Sequence, residues 1–193
     1  MPEKQAALGR RIAVVGTSGS GKTYVAEALA AKLDITYIGN DAIIWRPGWQ
    51  ETPHEDRVVE IDAATSADAW TFDGNLTPGN PDDRIVMERC DTIVWLDLPR
   101  WQVWSQVVRR TLVRIVSREE LWHGNRESLW MLFSRESIVW WSVKTYSRRR
   151  REYAALFNDP SFANRTRIRL RSRGEVDGWL ASVMTFGDDL MTC

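Results

Sequence analysis

Gly16, Thr17, Ser18, Gly19, Ser20, Gly21, Lys22 and Thr23 follow one another with the spacing of a Walker A phosphate cradle, matched at every fixed position. The spacing has a mechanical reason. Glycines let the main chain curl with its N–H groups pointing inward, and the free donors at the start of a following helix converge with them on a β-phosphate. Lys22 supplies a point charge for the β- and γ-phosphates, and the Thr23 hydroxyl is placed to ligate Mg²⁺. The ligands this chemistry calls for are a nucleoside triphosphate and Mg²⁺.

Phosphoryl transfer needs little covalent help; alignment and cations around the moving group do most of the work. Arg110 and Arg114 recur at i, i+4 and are the candidate catalytic cations of a closing lid, with the run Arg148 to Arg151 approaching from a later helix. A solvated basic face is the alternative for such arginines. Asp41 is the candidate to grip an acceptor hydroxyl or a water on Mg²⁺, against a helix cap or turn role. Asp97 ends an apolar run as a Walker B acid does, which makes it the second metal-site candidate beside Thr23; a structural turn with Pro99 competes. Asn75 and Arg84 are the further acceptor-binding candidates, unless Arg84 simply pairs with Asp82 or Asp83. His54 and His123 have no cysteine or histidine partner in the pattern and read as surface or cap residues.

The elements that must position these groups are legible as alternating strands and helices. Ile12 to Val15 is a short apolar, β-branched run that stops at Gly16, the pattern of a buried parallel strand. Val25, Ala26, Leu29, Ala30 and Leu33 recur at helical spacing, so a helix is expected from about 21 to 33. Ile35 to Ile38 gives a second strand with Asp41 just beyond its end, where open α/β sheets bind ligands. Trp45, Pro47, Gly48 and Trp49 read as a loop and 53–69 as one helix. Ala69 to Phe72 is a third strand closed by the turn residues Asp73, Gly74 and Asn75. Thr92 to Leu96 is a fourth strand, and Trp101 to Ile115 an amphipathic helix interrupted by His123, Gly124 and Asn125. A helix over about 127–156, a strand at Arg167 to Leu170 and a helix from Glu175 to Met184 complete the pattern. The expected organisation is one P-loop domain over 1–193, with an acceptor flap at about 41–72 and a lid at about 114–148.

A chain of 193 residues with 44% hydrophobic content builds one well-buried α/β core and is short for two. Lysine plus arginine equal aspartate plus glutamate at 26 each, so no global field points to nucleic acid, although arginines crowd the stretch from Arg100 to Arg173. Cys90 and Cys193 are too few for a disulfide framework, and a reducing compartment fits them. No apolar signal core or membrane span is apparent, and the expectation is a cytoplasmic protein without a membrane partner. The eleven tryptophans are expected mostly in the core or in cleft walls. Nothing in the pattern sets an assembly state.

Walker A alone does not decide the fate of the γ-phosphate. A guanine-nucleotide switch needs Asn-Lys-x-Asp, and the chain contains no Asn-Lys pair. Motor ATPases carry an acid directly after the Walker B aspartate, whereas Leu98 and Pro99 follow Asp97. The residues therefore favour a small-molecule kinase that draws on a nucleoside triphosphate and phosphorylates a small hydroxylated or phosphorylated acceptor. The alternative is an ATP-binding regulatory or DNA-associated module with little or no kinase activity.

Taken together, Val14 to Thr23, Asp41 with Trp45 and Gly48-Trp49, Asp73-Gly74-Asn75, Leu96 to Arg100, and Arg118 to Trp122 followed by Gly124 to Glu127 resemble the bacterial adenylate-kinase-like proteins often labelled DNA topology modulation proteins. The resemblance spans 11 to about 180. It implies a fold similar to adenylate and shikimate kinases, with a parallel five-stranded sheet flanked by helices, an acceptor flap and a lid. It also implies Gly16, Gly19, Gly21, Lys22 and Thr23 for ATP, Asp41 for the acceptor, and Arg110 and Arg114 for the lid. Adenylate kinases carry Gly-Phe/Tyr-Pro-Arg where this chain has Asp73-Gly74-Asn75-Leu76, and the paired aspartates and triple glycine of shikimate kinases are absent.

Overall fold

Ile12, Ala13, Val14 and Val15 are all fully buried, which a strand achieves only at the centre of a sheet covered on both faces. In the computed structural model, which describes residues 8–77, 80–117, 120–125 and 138–183 with the side chains of 138–141 excepted, that strand is β1 (Arg11–Gly16). Its period of two sorts the core. Ile12 and Val14 face one layer with Val25, Leu29, Val176 and Leu180; Ala13 and Val15 face the other with Val86, Met87, Tyr153 and Leu156.

The chain continues through α1 (Lys22–Leu33), β2 (Thr36–Gly39), the short α2 (Asn40–Ile44), β3 (Trp45–Arg46), β4 (Gln50–Glu51), α3 (His54–Ala64), β5 (Trp70–Asp73), α4 (Pro81–Arg89), β6 (Thr92–Leu96), α5 (Arg100–Ser117), α6 (Ile138–Asn158), β7 (Thr166–Leu170) and α7 (Arg173–Ser182). The main sheet is parallel throughout, in the order β2-β5-β1-β6-β7. β1 therefore has β5 on one side and β6 on the other, and the carboxyl ends of β1, β2, β5 and β6 open on one edge, where a doubly wound sheet places its ligand.

Three local expectations change. The loop at Trp45 to Trp49 is a small antiparallel hairpin, with Trp45 opposite Glu51 and Arg46 opposite Gln50. The helix expected over 53–69 stops at Ala64; the Thr65 hydroxyl donates to the Ile61 carbonyl, and the Trp70 indole N–H to the Thr65 carbonyl, which turns the chain into β5. α4 was not anticipated, because acidic residues and Arg84 dilute its apolar period. Its start is nonetheless written in Asn80-Pro81: the Asn80 side chain accepts from the Asp82 amide, and Pro81 occupies the first turn, where no N–H is needed.

Trp70 and Trp95 are fully buried, while Trp101 stands 68% exposed on α5. Cys90 is buried and its thiol is pushed up to about 12 by that burial; Cys193 lies outside the described residues. Among the described residues no helix is long and apolar enough to cross a membrane. Much of the expected lid segment lies outside the described residues.

Candidate active site

β1 leads the chain into the cradle at Gly16, and α1 carries it away from Lys22. Gly21 holds left-handed backbone at φ +92°, a conformation that a side chain makes costly. At Gly19 (φ +85°) space is limiting as well. A Cβ there would stand 2.1 Å from Val107 Cγ2 and 2.9 Å from the Val103 carbonyl oxygen, so α5 lies directly on the loop. The Ser20 amide donates to the Thr17 carbonyl at 3.0 Å and closes the turn. The Ser20 hydroxyl is buried with no hydrogen-bond partner among the described residues, an orphaned polar atom inside the cradle.

Lys22 is buried, and its ammonium donates to Asn75 Oδ1 at 3.1 Å and to the Thr17 carbonyl at 3.3 Å. Burial pulls its pKa below the usual lysine value; Asp73 and Asp41 oppose that fall, and Arg110 and Arg149 reinforce it. An ammonium held at such cost is relieved by an anion placed beside it. Thr23 Oγ1 donates to Asp73 Oδ2 at 2.5 Å, and the Tyr37 hydroxyl lies 3.4 Å from the same oxygen. These contacts exist because β5 pairs with β1 and brings its last residue, Asp73, alongside Val14 and so beside the start of α1.

Asp41 lies in the first turn of α2, after the cap residue Gly39. It is exposed to solvent, yet desolvation by the surrounding protein raises its pKa. Lys22 pulls that pKa down, Asp73 raises it, and Arg110 and Arg114 lower it. Lys22, Asp41, Asp73, Arg110 and Arg114 thus share one electrostatic neighbourhood although four different elements carry them.

The arginine run on α6 divides by helical direction. Arg149 turns inward and donates to the Asn75 carbonyl at 2.8 Å, whereas Arg148 is 61% exposed and lies 3.7 Å from Glu152. Arg150 goes to Asp97. Asp97, expected beside the metal, has a side chain only 2% exposed and is gripped by two guanidinium groups, Arg150 (2.6 Å) and Arg169 (2.6 Å). Arg169 in turn stacks on Trp95, its guanidinium carbon 4.2 Å from the ring centroid. The pairing has a topological cause: β7 runs beside β6, with Arg169 opposite Trp95, so an arginine from the edge strand reaches the acid at the end of its neighbour.

Arg84 is placed away from the expected acceptor side. It sits on the outer face of α4, 73% exposed, and pairs with Glu88 four residues on rather than with Asp82 or Asp83. Asp82 is taken by Arg57 and His54, and Asp83 accepts from the amide and hydroxyl of Thr77. The structure thus assembles Gly16 to Thr23, Asp41, Asn75, Arg110 and Arg114, leaves Arg84 outside the group, and commits the side chain of Asp97, one residue past Leu96 opposite Gly16, to Arg150 and Arg169. Sequence reasoning passed over Asp73 and named Arg149 only as one member of the run Arg148 to Arg151. Asp73 closes a strand with a turn and so looks like punctuation; the signal available was an acid at a strand end, which strand order had to resolve. For Arg149 the sequence supplied the basic run and nothing to single out one member.

No family model matches the chain, and no curated protein matches it. Among solved structures, the chain is similar to a shikimate kinase from Bacteroides thetaiotaomicron (13% identity, TM-score 0.54, 89% of this chain and 94% of that one). It is likewise similar to a shikimate kinase from Acinetobacter baumannii solved with shikimate (17% identity, TM-score 0.53, 90% and 89%). At such identities the likeness defines the fold alone. The architecture shared with those two proteins is a parallel five-stranded sheet flanked by helices.

Proposed function

We propose that this chain is an ATP-dependent phosphotransferase that moves the γ-phosphoryl group to a small acceptor, with a nucleoside monophosphate slightly ahead of other hydroxylated or phosphorylated molecules. The observation that carries the proposal is the buried Lys22 ammonium, set in a glycine turn within the field of Asp73, Asp41, Arg110 and Arg149. The orphaned Ser20 hydroxyl, the left-handed Gly19 and Gly21, and the buried cation fit a polyphosphate. Thr23 and Asp73 fit Mg²⁺ with its waters, Asp73 taking the part first expected of Asp97. Bound Mg²⁺ supplies charge neutralisation of the phosphate oxygens.

The protein's own groups divide the remaining work. Lys22 and the cradle amides hold the phosphates, while Arg110, Arg114 and Arg149 face the negative charge that spreads over the transferring group. Asp41, made more basic by its surroundings, orients the acceptor hydroxyl and takes its proton as the new oxygen–phosphorus bond forms and the bond to the bridging oxygen breaks. The segment from Asp41 to Ala64 serves as the acceptor flap, short of the expected 72 because Trp70 to Asp73 is the buried sheet strand β5, and 114–148 serves as the lid, of one domain over 1–193.

ADP release measured across a panel of nucleoside monophosphates, sugars and hydroxy acids tests this reading, with MgATP binding followed by calorimetry. Bound ATP without acceptor-dependent ADP release from any of them would overturn it. The DNA-associated reading draws less support, because Arg149 turns inward to the Asn75 carbonyl and Arg150, although 52% exposed, is paired with Asp97, which breaks up the basic run. Gel shifts at low and physiological salt separate the two, since duplex binding falls steeply with salt.

A further inference from the structure

We infer that Asn125 is a positioning residue that fixes the turn at 46–49 and thereby holds the indole pair of the acceptor flap in place. In an ordinary β-turn the first carbonyl accepts from the amide three residues on. Here both groups meet the Asn125 carboxamide instead: the Trp49 amide donates to Asn125 Oδ1 at 3.0 Å, and Asn125 Nδ2 donates to the Arg46 carbonyl at 2.9 Å. One donor and one acceptor, on the same planar group, replace a single main-chain bond. A carboxamide offers that pair side by side, and the asparagine side chain carries one.

The carboxamide is itself prepared. Asn125 is 5% exposed, and its carbonyl accepts from the Leu121 amide at 2.7 Å, while the Gly124 amide donates to the Leu121 carbonyl at 3.2 Å. His123 adds a third tie, with Nε2 3.1 Å from the carbonyl oxygen of Ala42, the residue next to Asp41. The turn needs holding, because Gly48 (φ +73°) and Trp49 (φ +58°) both have left-handed backbone, and for a bulky residue that conformation persists only when its surroundings impose it. What is held is the contact of Trp49 with Trp45, edge to face at 5.7 Å, on the segment that directly follows Asp41. The segment Leu121 to Asn125 thus acts as a clamp on the flap.

The consequence for acceptor selection rests on the function proposed above; the clamping of the turn does not. The test uses the full chain with Asn125→Ala and Asn125→Asp, the latter keeping an acceptor for the Trp49 amide while setting a carboxylate oxygen against the Arg46 carbonyl. Amide hydrogen exchange by mass spectrometry is expected to speed up about tenfold or more in peptides covering 44–52, with β1, α1 and β6 unchanged. Exchange over 44–52 within about twofold of wild type in both variants would overturn the clamp, as would a uniform rise along the chain. Where the ADP-release panel yields an acceptor, its KM rises in both variants with kcat retained; a fall in kcat at unchanged KM overturns the positioning role. If the panel yields none, the phosphotransfer reading fails while the exchange measurement still decides this one.

Discussion

Replacing Gly19 with alanine forces the cradle against α5. The added methyl would stand 2.1 Å from Val107 Cγ2 and 2.9 Å from the Val103 carbonyl oxygen, against a normal carbon–carbon contact of about 3.5–4 Å. Val107 is fully buried and, as a β-branched residue in a helix, has essentially one χ1 rotamer, so it cannot swing aside cheaply. Val103 contributes a main-chain oxygen. The helix itself must therefore give way by about 1.5 Å. Overpacking of this kind costs about 1–3 kcal/mol, and left-handed backbone in a residue with a Cβ adds about 1–2 kcal/mol. Gly19→Ala is thus expected to lose about 2–5 kcal/mol in urea unfolding, and to weaken MgATP binding because α5 also carries Arg110 and Arg114. Val107→Ala opens space at the same point at a cost of about 2 kcal/mol by itself. If the clash is the cause, the double variant is less destabilised than the sum of the singles by about 1–3 kcal/mol. Additivity within about 0.5 kcal/mol, or a Gly19→Ala protein as stable as wild type, would refute the argument.

Lys22→Met removes a charge that burial disfavours: stability at neutral pH should stay level or rise, while calorimetric MgATP affinity drops about thirtyfold or more. Because folding lowers the Lys22 pKa, the unfolded chain holds more protons between that lowered value and 10.5, so wild-type stability should gain on the Lys22→Met variant as pH rises through this window; a difference independent of pH there would contradict the assignment. Asp73→Asn should weaken binding of MgATP much more than that of metal-free ATP in calorimetry, and equal losses for the two would count against a metal role for Asp73. Asp97→Ala should destabilise the fold by about 1–2 kcal/mol, since it removes the shared partner of two partly exposed guanidinium groups, and the metal dependence of ATP binding should be unaffected. Arg84→Ala should change unfolding by less than about 0.5 kcal/mol, as an exposed i, i+4 pair contributes little.

The features legible in the sequence were those set by neighbours along the chain. The strand before the cradle, the eight cradle residues and the helix after them depend on local periodicity and on glycine conformations, and they stand where the spacing put them. The helix over Pro81 to Arg89 escaped because its apolar positions are few, although Asn80 and Pro81 marked its start. The hairpin at Trp45 to Glu51 escaped because its turn is closed by a side chain 76 residues away, which no local pattern could announce.

By itself the sequence determined that a glycine turn with Walker A spacing sits between a buried strand and a helix, for main-chain geometry there is a matter of adjacent residue types. Which acid meets Thr23 and which arginines meet the cradle were decided by the tertiary structure. Strand order set Asp73 beside β1, and β7 beside β6 turned Arg169 toward Asp97. Helical direction sent Arg149 inward and Arg148 out. Charge interactions act over a few ångströms of space regardless of separation along the chain, so residues of one type in one stretch acquire different roles only when folding fixes their neighbours.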